Sequence, residues 1–130
     1  MKKLKIISLF TVILICFSVL YCKKSSTSSD GVTPFILKGY VELDGERVPN
    51  VNVKFEFGEG SANAGELVYT PKIKQTDSKG EFEFRQKVTK VQAKYFVCVQ
   101  HPLTGAWTSK RGGTALNGKT ATEPFILTSQ

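Results

Sequence analysis

Histidine, sulfur-bearing and indole side chains are scarce in this 130-residue chain. It has one histidine, His101, together with three cysteines, one methionine and one tryptophan. A single histidine excludes His-paired metal sites and HExxH chemistry. A Ser-His-Asp triad would have to use His101, yet no Gly-x-Ser-x-Gly elbow surrounds any serine. His101 itself precedes Pro102 at the end of an apolar run, which suits a turn at a rim. No Asp-rich loop of calcium-binding type occurs, so Glu56, Glu59 and Glu66 read as solvated charges rather than an acid pair or a metal loop. No Gly-rich loop opens a helix to cradle a phosphate. Neither a groove-reading motif nor an interleaved aromatic platform points to nucleic acid. The residues therefore imply no catalytic constellation, no cofactor and no metal.

What is present begins at the N-terminus. Lys2, Lys3 and Lys5 precede an apolar run from Ile6 to Tyr21, and Cys22 follows it. A positive n-region, an apolar h-region and a processing site make a secretory signal, which is not part of the mature fold. The run is just short of the roughly 17–25 residues of a spanning helix. Val19-Leu20-Tyr21-Cys22 resembles a lipobox: Val19 is the aliphatic residue three before the cysteine, whereas Tyr21 is bulky where a small residue is usual. Cys16 is a poorer candidate, because apolar residues continue after it. The reading is a helical signal peptide over 1–21 and lipidation at Cys22, with an uncleaved membrane anchor as the alternative. The resemblance to lipoproteins implies a cell-envelope location and attachment to the membrane through acyl chains such as palmitate. Lys23, standing where an aspartate commonly signals inner-membrane retention, favours the outer membrane. Whether the domain faces the periplasm or the exterior stays open, as does the oligomeric state.

Residues 22–33 form a Ser-rich tether that cannot bury a core, and 34–130 form the domain. Loss of Lys2, Lys3 and Lys5 lowers the formal charge by three from +7, so the working protein is less basic than the whole chain suggests. With Cys16 removed and Cys22 acylated, Cys98 has no disulfide partner and reads as a small buried hydrophobe within Tyr95–Val99.

From Phe35 onward the hydrophobic period is two rather than 3.6. Val51, Val53, Phe55 and Phe57 alternate with polar residues, as do Phe82 and Phe84, while Phe35, Leu37, Val41 and Leu43 share one parity. Tyr95–Val99 is apolar on both parities and predicts a central strand covered on both faces; Phe125–Leu127 predicts a short closing strand. Asp44-Gly45 and Asp77-Ser78-Lys79-Gly80 supply turns, and Gly58–Gly65 reads as a long flexible loop. Short strands with turns between them predict an all-β, antiparallel sandwich.

Gly39-Tyr40-Val41, Val48-Pro49-Asn50-Val51-Asn52-Val53 and Thr76-Asp77-Ser78-Lys79-Gly80-Glu81-Phe82 resemble the strand and hairpin motifs of the carboxypeptidase regulatory-like domain, transthyretin-like in fold. Tyr95, Val97 and Val99 match its later strand, and the resemblance spans roughly 37–100. It implies a seven-stranded sandwich used as an accessory or binding module, and it carries over no catalytic residue. The longer Gly58–Gly65 loop and the Gly112–Thr122 segment depart from the family pattern.

The candidate binding residues are Trp107, Lys110 and Arg111, a tryptophan followed closely by a basic pair. An exposed Trp suits stacking on a sugar or anchoring a protein contact; packing against the core is the alternative. The lysines at 72, 74, 87, 90 and 94, with Lys110 and Arg111, either form a patch for anionic headgroups or are dispersed and solvated. The leading expectation is a non-catalytic binding or adhesion module with a protein or glycan ligand. The alternative is a structural component that packs against other envelope proteins.

Overall fold

The computed structural model describes residues 31–130; the expected signal peptide and the Cys22 lipidation site lie outside the described residues. Gly31–Gln130 is one compact unit. Eight strands follow in order: β1 (Phe35–Leu43), β2 (Glu46–Arg47), β3 (Asn52–Gly60), β4 (Thr70–Gln75), β5 (Glu81–Gln86), β6 (Gln92–Val99), β7 (Arg111–Thr114) and β8 (Thr120–Leu127). They build a sandwich of two four-stranded sheets. In one, β1 pairs with β2 and β5 on one side and with β8 on the other; the second has the order β4-β3-β6-β7.

Two details differ from the sequence expectation. There are eight strands rather than seven, and the sandwich is not wholly antiparallel, because β8 runs parallel to β1 from Ile36↔Thr120 to Leu43↔Leu127. The closing strand is also longer than Phe125–Leu127 and starts at Thr120. A parallel pair requires its strands to be joined by a long crossover, and here the whole of the second sheet intervenes.

Each sheet puts one parity of residues inward. Phe35, Leu37 and Val41 meet Phe82, Phe84 and Phe125 from one sheet; Val53, Phe55, Phe57, Tyr95, Val97 and Val99 come from the other, and all are buried. Phe55 stacks on Phe84 with centroids 5.0 Å apart, and Phe35 meets Tyr95 at 5.1 Å. Each such aromatic contributes roughly 2–3 kcal/mol on burial. Gly39 lies where β8 crosses: a Cβ there would sit 2.1 Å from the Glu123 carbonyl oxygen and 2.6 Å from the Phe82 ring. Only glycine lets the parallel strand approach so closely.

Turns form as their residues dictate. Asp44 and Gly45 both have positive φ (53° and 88°), as a two-residue type I′ hairpin between β1 and β2 requires. Asp77 accepts hydrogen bonds from the backbone N–H groups of Lys79 and Glu81, both at 2.9 Å, and Gly80 takes φ 73°. Thr76 is the one buried polar side chain among the described residues. Its hydroxyl accepts from Val51 N at 3.0 Å and donates to Val48 O at 2.8 Å, tying the β4–β5 turn to the entry of β3.

Cations close both sides of the sandwich. On the β4/β5 side, Lys74 Nζ donates to the main-chain oxygen of Glu83 (2.9 Å) and Lys72 Nζ to Gln86 Oε1 (2.8 Å). On the β7/β8 side, Arg111 donates to the main-chain oxygen of Pro124 and lies over the Phe125 ring. Such capped edges resist pairing with another chain.

Candidate binding surface

The outward parity of the β4-β3-β6-β7 sheet collects the candidate site. On β3 it is Lys54, Glu56 and Gly58; on β6, Phe96 and Cys98; on β7, Gly112. The register places Lys54 opposite Cys98 and Ile73, and Phe96 opposite both Glu56 and Gly112.

Trp107 reaches this face through a fixed turn. Gly105 N donates to His101 O, His101 N to Ala106 O, and Thr108 N to Val99 O. The chain thus folds back so that Trp107 bridges Gln100 beyond the end of β6. Trp107 is 38% exposed, and the Lys54 ammonium lies 4.4 Å from its ring centroid. Two residues along β3, Glu56 accepts from Lys110 Nζ at 2.5 Å. That hydrogen bond holds the Lys110 ammonium protonated to higher pH than an ordinary lysine, burial acting against it.

The middle of the face is aromatic. Phe96 packs against Tyr69 with centroids 5.1 Å apart, and two glycines make the room. A Cβ at Gly112 would meet the Phe96 ring at 2.4 Å; one at Gly58 would meet Tyr69 at 3.0 Å. Gly58–Gly60 is accordingly strand and not loop, and the connecting segment starts at Ser61. That segment is fastened too: Gln92 Nε2 donates to Ala62 O at 2.7 Å.

Trp107 and Lys110 therefore share one sheet face, and Arg111, adjacent in sequence, points to the opposite one, into the β7/β8 seam. Lys54, Glu56, Tyr69 and Phe96 join the site although sequence reading did not group them with Trp107. The signal was strand parity, with Lys54 and Glu56 lying on the polar side of the alternation that buries Val53 and Phe55.

Cys98 is buried and free, and burial pushes its thiol pKa up. The three glutamates do not converge. Glu56 holds Lys110, while Glu59 accepts from Thr89 N, Thr89 Oγ1 and Lys90 N. Burial opposes the Glu59 carboxylate, but those hydrogen bonds outweigh it and lower the pKa. Glu66 is exposed. Among the described residues no three of His, Cys, Asp and Glu gather as a group able to hold a metal ion. His101 Nδ1 accepts from the Leu103 and Thr104 N–H groups. The ring proton is thereby fixed on Nε2, which donates to Thr128 O at 3.0 Å. Nδ1 serves the turn that presents Trp107, and Nε2 ties that turn to the segment after β8.

A concavity of about 590 Å³ lies elsewhere, beside β4 and β5, lined by Lys38, Tyr40, Lys74, Asp77, Glu83 and Thr122. Its Lys74 and Asp77 are already committed to the seam and to the turn, so we place the site on the sheet face instead.

No family model and no curated protein matches the chain. Among solved structures, the fold is similar to the dioxygenase domain of a dioxygenase carbohydrate-binding protein fusion from the cellulolytic bacterium Streptomyces sp. SirexAA-E. The identity is 17%, covering 80% of this chain and 85% of that one, with a TM-score of 0.50. A 9R-lipoxygenase from Cyanothece PCC8801 is also matched, at 13% identity over 75% of this chain and 16% of its own, with a TM-score of 0.31. The first likeness is one of fold, and the second carries no argument.

Proposed function

We infer that this chain is a lipid-anchored cell-envelope protein whose sandwich is a non-catalytic binding module. Its ligand, a protein or a glycan, contacts the outward face of the β4-β3-β6-β7 sheet. The observation that carries this reading is the half-exposed indole of Trp107. It is held by the His101–Ala106 turn, with Lys54 against its ring and the Glu56–Lys110 pair beside it. An amphipathic ring bordered by fixed charges combines stacking area with polar contacts that orient a ligand. The motifs shared with carboxypeptidase regulatory-like domains support an accessory role: Asp77, Gly80 and Phe82 serve a turn and the core. Anchoring rests on the Lys2–Cys22 pattern and places the module at a membrane surface, in this reading the outer membrane.

The test is retention on an immobilised panel of glycans and envelope or matrix proteins. The wild-type protein is retained by at least one member, and a folded Trp107→Ala variant is released. Equal retention of both, or none, refutes the reading. Assembly against other envelope proteins is the alternative, favoured by Ile73, an exposed apolar side chain on the outer strand β4.

A further inference from the structure

The two ends of the sandwich differ. β1 begins at Phe35, so the tether enters at the end formed by residues 31–34, 61–69, 87–91 and 115–119. Hydrogen bonds knit three of these segments, 31–34, 87–91 and 115–119, to one another and to the end of β3. Gly118 N donates to Thr33 O; Val88 N donates to Asn117 Oδ1, and Asn117 Nδ2 donates back to Val88 O; Thr89 N donates to Glu59 Oε2. The end is a built surface rather than loose loops.

Four of the eight large apolar side chains exposed among the described residues lie here: Val32 (43%), Val68 (85%), Val91 (79%) and Leu116 (50%). Lys90 and Lys119 are exposed beside them. Of the acidic groups present, Glu59 is already engaged by the Thr89–Lys90 segment, which leaves Glu66. The far end is different, carrying Asp44, Glu46, Asp77 and Glu81 against Arg47, Lys79 and Lys110. Exposed apolar side chains gathered with lysines at one end mark an interaction surface.

The chain itself names the occupant. Between Cys22 and Gly31 the tether spans at most roughly 30 Å when extended, about the length of the domain's nine-residue strands. A lipid on Cys22 therefore holds this end within that reach of a bilayer. One signal gives weak membrane attachment, and a second that adds apolar and cationic contact makes it firm.

We propose that the tether-proximal end of the sandwich docks on the anionic surface of the bilayer that holds the lipid, with Val68, Val91 and Leu116 entering the interface and Lys90 and Lys119 meeting lipid phosphates. The proposal rests on anchoring at Cys22. Docking turns the Asp44/Asp77 end away from the membrane and holds the Trp107 face roughly upright and open to ligand.

The lipidated protein is reconstituted into vesicles of phosphatidylethanolamine and brominated phosphatidylglycerol, with a fluorophore placed by Val68→Cys, Val91→Cys or Leu103→Cys. Buried Cys98 stays unlabelled. Lipid quenching is expected at positions 68 and 91, several-fold above that at 103 on the far end. Lys90→Gln with Lys119→Gln lowers the docking equilibrium constant on the order of tenfold, at about a factor of five per lysine near an anionic surface and less where screened. Equal quenching at both ends, or none while the protein still floats with the vesicles, overturns docking and leaves anchoring intact. Failure of the wild-type protein to float overturns both.

Discussion

The Lys54 ammonium lies 4.4 Å from the centroid of the Trp107 ring, joining the first part of β3 to a turn that follows β6. The contact holds the indole against the sheet and gives the candidate site its charge. An exposed cation–π contact contributes only about 0.5–1 kcal/mol, so its main effect is on orientation. Lys54→Ala should change stability by no more than about 1 kcal/mol while raising the acrylamide quenching constant of Trp107 fluorescence. An unchanged constant would mean that Lys54 does not shield the ring.

Thr76 is the polar link in an apolar interior. Thr76→Val keeps the volume but removes an acceptor from Val51 N and a donor to Val48 O. A loss of about 2–4 kcal/mol in urea unfolding is expected, since each stranded backbone group costs about 1–2 kcal/mol. Thr76→Ser should recover most of it.

Gly39→Ala and Gly45→Ala separate crowding from backbone strain. At Gly39 the new Cβ meets the β8 backbone at 2.1 Å, whereas at Gly45 nothing lies within 4 Å and the cost is only that of φ 88°. Gly45→Ala should lose about 1 kcal/mol. Gly39→Ala should lose several times more, because β8 must separate from β1. Circular dichroism melts of the two variants make the comparison.

Acid should weaken the domain through its turns. Hydrogen bonds from the Glu81 and Lys79 backbone hold the Asp77 carboxyl below its ordinary value of 3.8; those from Ser129 do the same for Asp44. A carboxylate with a lowered folded-state pKa contributes stability that is fully present above the unfolded value and lost as pH falls through the folded one. Stability should therefore be flat with respect to these groups near neutrality and decline below about pH 4. Asp77→Asn should lower stability at pH 7 and make the acid decline shallower; an identical slope would remove Asp77 from the account.

Strands that alternate cleanly were legible from sequence. Val53-Lys54-Phe55-Glu56-Phe57 announces a half-buried strand, and Asp77–Gly80 announces its turn, because both signals are local. β4 was not legible: every residue of Thr70–Gln75 is exposed, so no apolar alternation marks it. Nor was the parallel pairing of β8 with β1, since partner choice between distant segments leaves no local trace. Gly58 and Gly60 looked like loop because glycine usually breaks strands, yet Gly58 exists to admit the Tyr69 ring. Lys110 and Arg111 looked like one basic pair; neighbours along an extended chain point to opposite faces, and only Lys110 stays with Trp107.

The most direct test uses Trp107 itself, the only tryptophan in the chain and so an intrinsic reporter on the proposed surface. Its emission is followed while soluble glycans and envelope or matrix proteins are titrated, with Lys110→Ala as the comparison. The account predicts a saturable shift with at least one ligand, weakened in the variant. Emission unchanged across the panel, in a protein that melts cooperatively, would contradict it.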